Sequence, residues 1–78
     1  MKTLEYLFSL DNNDKVGLEI GDKFNIYIDK KTLSLYLENK STGNIITVDI
    51  DIKLEDTVLG IENEILKYMI DNFMILGI

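Results

Sequence analysis

The sequence predicts an α+β domain: an antiparallel β-meander of four to five strands, packed on one face by a C-terminal amphipathic α-helix. Three observations carry this. Four successive segments alternate apolar and polar residues, the period of strands with one dry and one wet face. The stretches between them are short, polar and suited to hairpin turns. The last third of the chain changes to three- and four-residue apolar steps, the period of a helix.

The alternating segments are Val16-Leu18-Ile20, Phe24-Ile26-Ile28, Leu33-Leu35-Leu37 and Ile46-Val48-Ile50-Ile52. Pairing Ile20 with Phe24 leaves Gly21-Asp22-Lys23 as a three-residue hairpin loop, with Gly free to take positive φ. Pairing Ile28 with Leu33 gives a tight connection centred on Lys30-Lys31. Pairing Leu37 with Ile46 centres a turn on Ser41-Thr42. All three registers put the apolar residues on one common side, and a one-residue slip in any of them would turn a whole strand over.

In the C-terminal segment Val58, Ile61, Ile65, Leu66, Met69 and Phe73 share one face, and Glu62, Asn63, Lys67, Asp71 and Asn72 the other. This predicts a helix of about three to four turns, capped by Asp56 or Thr57. Its apolar stripe is the natural cover for the dry side of the sheet. At the N-terminus Leu4, Tyr6, Phe8 and Leu10 alternate, and we read a fifth strand turning back through residues 11–15. The spacing of Leu4, Leu7 and Phe8 offers a short helix as the alternative.

Length and composition narrow the function. Seventy-eight residues suit a single domain, residues 1–78, near the lower limit for a self-supporting core. The chain has no Cys, so disulfides and thiolate metal sites are excluded, and no His, so a His-activated nucleophile is excluded. No apolar stretch is long enough to span a bilayer, and the first residues lack a signal peptide's apolar core, so a cytoplasmic protein without membrane contact is expected. Ala, Arg and Pro are missing while Ile, Lys and Asn abound, a usage that suggests an AT-rich genome, that of a low-GC bacterium or a phage. Eight Lys against fourteen Asp and Glu give a net charge of −6, which repels nucleic acid and favours a basic partner. The same acidity also serves solubility alone.

Chemistry-bearing motifs are weak. Asp49 and Asp51 flank Ile50 and would share one side of the last strand, but no third oxygen ligand is fixed beside them. Asp11-Asn12-Asn13-Asp14-Lys15-Val16 puts Lys and Val where a calcium loop needs an oxygen ligand and Gly. The five Gly are isolated, so there is no phosphate-cradling loop. No catalytic residue, metal site or cofactor is expected.

The wet face is the remaining candidate surface. It carries Glu19, Asp29, Glu38, Asp49 and Asp51, with Tyr27 and Tyr36 placed diagonally on adjacent strands and Lys15 as the main opposing charge. Tyr among carboxylates suits docking on a basic protein, because Tyr buries area while keeping a polar tip. Such a face equally suits a solvated sheet. A second candidate is the apolar end of the chain, where Phe73, Met74, Ile75, Leu76 and Ile78 would dock on the core or contact a second copy in a homodimer.

The functional expectation is therefore a non-enzymatic, acidic protein-binding module that does not contact nucleic acid directly. In general composition, though in no motif, the chain is similar to phage-encoded inhibitors that cover a basic surface of a host nuclease or defence protein, anti-CRISPR proteins among them. The alternative is a self-associating structural or accessory subunit.

Overall fold

In the computed structural model, which describes residues 2–10 and 12–72, the alternating segments form one antiparallel sheet in the order β1-β2-β3-β4. The strands are β1 (Lys15–Ile20), β2 (Phe24–Asp29), β3 (Leu35–Asn39) and β4 (Ile45–Val48). Helix α1 (Leu4–Phe8) precedes them and helix α2 (Val58–Asp71) follows. The fold is α+β, as the two periods predict.

The outer two hairpins keep the predicted registers. Ile20 pairs with Phe24 across Gly21, whose φ is +61°, and Leu37 pairs with Ile46. The middle hairpin differs by two residues: Ile28 pairs with Leu35, not with Leu33. Leu33 is not in the strand at all. Its φ of +58° places it in the left-handed region at the end of the turn. The turn closes through Leu33 N donating to Asp29 O (2.9 Å) and Asp29 N donating to Ser34 O (3.0 Å). A two-residue shift preserves side-chain parity, so both faces survive it.

One consequence is that β4 is shorter than predicted. Strand β3 begins at Leu35, opposite Val48, so residues after Val48 have no ladder partner. Ile50 N instead donates to Val48 O at 3.1 Å, bending the chain away. Asp49 and Asp51 therefore lie on an irregular segment beyond the sheet and do not flank one face of a strand.

The N-terminal segment is a helix, which corrects the expected fifth strand. Thr3 caps it, its side chain accepting from Tyr6 N at 3.2 Å, and Leu4 is fully buried. Leu4 N donates to Asp56 O (2.9 Å) and Glu5 N to Leu54 O (3.0 Å), so the segment leading into α2 holds α1. At its other end the Lys30 ammonium donates to Phe8 O at 2.9 Å. Tertiary partners decide the state of this five-residue helix, which is too short to form by propensity.

Helix α2 starts at Thr57, which accepts from Gly60 N at 3.0 Å through its hydroxyl. Asn72 ends it, its side-chain amide donating to Tyr68 O at 2.8 Å. Ile61, Ile65 and Met69 are buried in one cluster with Leu4, Phe24, Ile26, Ile28, Leu35 and Leu37. Leu66, expected in the same stripe, is exposed. Phe73, Met74, Ile75, Leu76 and Ile78 lie outside the described residues. No described helix is long and apolar enough to cross a membrane.

Candidate protein-docking face

With one face of the sheet buried, pleating directs the intervening residues outward. Strand registers arrange them in rows. Gly17, Tyr27, Tyr36 and Thr47 form one row across all four strands; Glu19, Asn25, Glu38 and Ile45 form the next. Tyr27 and Tyr36 are thus directly opposite, not diagonal as the shorter turn predicted. That brings their Cβ atoms to the separation of direct cross-strand neighbours, roughly 5 Å. Both rings are half-buried on the two central strands.

The polar groups around them are tied together. Tyr27 hydroxyl donates to Glu38 Oε1 at 3.0 Å, and Asn25 Nδ2 donates to the same oxygen at 3.1 Å. The carboxylate acceptor favours the protonated phenol and so raises the Tyr27 pKa above its ordinary value. Lys15 Nζ lies 5.6 Å from the centre of the Tyr36 ring, within cation–π range. Lys40 reaches in from the β3–β4 turn and pairs with Glu19 at 3.3 Å. Lys15, Tyr27, Tyr36, Glu38 and Ile45 line a shallow cleft of about 340 Å³.

Gly17 stands opposite Tyr27 in this row, and the Tyr27 ring packs beside it. A Cβ built at Gly17 would stand 3.7 Å from Tyr27 Cε1, an ordinary van der Waals contact.

Of the candidate residues, Glu19, Tyr27, Tyr36 and Glu38 come together on this face. Asp29 stands at its edge, opposite Lys15. Its carboxylate accepts from Lys31 N (2.8 Å) and Thr32 N (3.1 Å), so it organises the β2–β3 turn. Those donors hold its pKa below the ordinary carboxylate value. Asp49 and Asp51 sit elsewhere, beside Thr32, Leu33 and Ser34. Sequence reasoning missed Lys40 and Ile45. Ile45 follows from strict alternation, since its neighbour Ile46 faces the core; Lys40 belongs to a turn, where no periodicity assigns a direction.

Among the described residues no group of three or more Asp and Glu is placed to hold a metal ion. In comparisons with protein-family models, curated proteins and solved structures, nothing matches this chain.

Proposed function

We propose that this chain is a non-enzymatic protein-binding module of the cytoplasm whose Tyr27–Tyr36 face docks on a basic protein surface. The observation that supports the reading best is the direct opposition of the two tyrosines on central strands, with Glu38 and Glu19 beside them. Aromatic anchors on rigid elements lose little side-chain freedom on binding, and flanking carboxylates steer a cationic partner. A net charge of −6 adds long-range attraction toward Lys- or Arg-lined grooves. In function this corresponds to an inhibitor that occupies a surface meant for nucleic acid, of the kind a phage directs at a host nuclease or defence protein.

A photo-crosslinking residue at Tyr36 tests it, in cells that carry candidate nucleases and defence proteins. The expected product is a crosslink to a basic protein, weakened by added salt and lost in a Tyr27→Ala variant that keeps its circular dichroism spectrum. Glu38→Lys should weaken the same interaction and flatten its salt dependence. Crosslinking that is indifferent to salt and to both substitutions sinks the proposal. Charge reversal at Asp49 and Asp51 is the complementary probe: a smaller loss there than at Glu38 confines the docking site to the sheet.

A further inference from the structure

Helix α2 is apolar on two sides, and among the described residues only one side is packed against the core. Ile61, Ile65 and Met69 face the core. Leu59, Leu66 and Ile70 point away from it and are 64%, 44% and 74% exposed. Single exposed apolar residues are ordinary; these three are not scattered. With exposed Asn63 they recur at steps of four, three and four, which is the d-a-d-a stripe of a heptad. Leu occupies both d positions, and Asn63 and Ile70 occupy the a positions. The flanks match too. Glu62 falls at g and Lys67 at e five residues later, the spacing at which g of one helix meets e of the other in a parallel pair.

We propose that this face of α2 is a parallel homodimer interface, its occupant the same face of a second copy. The residue types argue for this occupant: Leu at d with a β-branched residue at a favours two strands, and a single Asn at a fixes register by pairing with its own copy across the axis. Charge complementarity argues for it as well, since each Glu62 meets the Lys67 of the other copy. The stripe is short, about 17 Å from Leu59 to Ile70 at 1.5 Å per residue. However, α2 is already ordered by its own core, so pairing costs little helix-forming entropy. The tyrosine face lies on the far side of the sheet and stays open in this dimer, so the inference stands apart from the proposed function.

Sedimentation equilibrium of the full chain, at roughly 10 μM to 1 mM, should show a reversible monomer–dimer equilibrium in the range of small interfaces. Each copy carries a charge of −6, so added salt should strengthen it. Ile70→Lys should weaken association at least about tenfold, by placing like charges at the seam. Glu62→Lys should weaken it roughly fivefold, and adding Lys67→Glu should restore it. Because the chain has no Cys, Leu59→Cys offers a clean test of direction: parallel copies bring the two thiols together and mild oxidation links them. A monomer throughout the range overturns the proposal, as does a dimer that ignores Ile70→Lys or one whose Leu59→Cys thiols do not link.

Discussion

Leu33 and Gly43 occupy the same position in two turns of the same design. Leu33 N donates to Asp29 O at 2.9 Å and Gly43 N to Asn39 O at 2.8 Å. A Thr hydroxyl then accepts from the residue after each: Thr32 from Ser34 N (3.3 Å) and Thr42 from Asn44 N (3.2 Å). Both positions have positive φ, +58° and +77°. Glycine adopts that conformation freely and leucine does not, at a cost of about 1–2 kcal/mol. Leu33 is retained there with its side chain packed against the core.

That relationship gives an inverted substitution series. Leu33→Ala loses the apolar contact and keeps the strained φ. Leu33→Gly loses the contact and relieves the strain. The Gly variant should therefore be the more stable of the two by about 1 kcal/mol, opposite to the usual order in a folded segment. Gly43→Ala should cost a similar amount, about 1 kcal/mol, although a Cβ there would meet nothing within 4 Å. Urea denaturation midpoints decide it; Ala equal to or above Gly at position 33 refutes the strain assignment.

The two turns also differ in charge at their first residue, which predicts acid sensitivity. Asp29 accepts two backbone N–H bonds and has a lowered pKa; Asn39 accepts from Ser41 N at 2.9 Å without a charge. A carboxyl whose folded pKa is lowered contributes stability that is present above its ordinary value of 3.8 and lost as pH falls through the folded value. Asp29→Asn keeps a side-chain acceptor for the turn and removes the titration. Its stability should fall less steeply than that of the unsubstituted protein below about pH 5. Equal slopes in the two proteins would assign the acid sensitivity elsewhere.

The same turns mark how far the fold is legible in the chain. Alternation together with the turn residues yields the sheet order, both faces and two registers to the residue. The β2–β3 register is missed because Leu33 continues the apolar alternation while its backbone has already left the strand. The error is even-numbered, so Tyr27 and Tyr36 stay on the correct face but move from diagonal to opposed, and Asp49 and Asp51 lose their strand. Helix α1 is misread for a different reason. Its stability comes from Leu4 burial and from hydrogen bonds to Leu54 and Asp56, fifty residues away in sequence, and no local pattern carries that. Lys40 reaches Glu19 from a turn, which periodicity cannot anticipate.

Gly60 follows the N-cap of α2 by three residues, and its contact with the cap cancels a standard expectation. Replacing Gly by Ala inside a helix ordinarily stabilises by about 1 kcal/mol. Here the new Cβ would stand 2.9 Å from Thr57 Oγ1, the atom that accepts from Gly60 N. Relieving the collision rotates the cap away, at about 1 kcal/mol. Gly60→Ala alone should be close to neutral. In a Thr57→Ala background, where no hydroxyl remains, it should stabilise by roughly 0.5–1 kcal/mol. A double-mutant cycle by thermal denaturation reads the difference; additivity would break the proposed coupling.

Tyr27 offers a spectroscopic check on the proposed docking face. Its hydroxyl donates to the Glu38 carboxylate, so ionising the phenol both breaks that bond and places two negative charges together. The folded pKa is raised above 10.0, and the stabilisation it reports is complete below that value and lost as pH rises through the folded pKa. In an ultraviolet titration of the four tyrosines, one component should titrate late and vanish in Tyr27→Phe. Glu38→Gln removes the charge and keeps a side-chain oxygen, so the late component should move down toward the ordinary range. If Glu38→Gln leaves the profile unchanged, the Tyr27 hydroxyl is not bonded to Glu38 in solution, and the fixed Tyr27 ring that the docking proposal requires is lost with it.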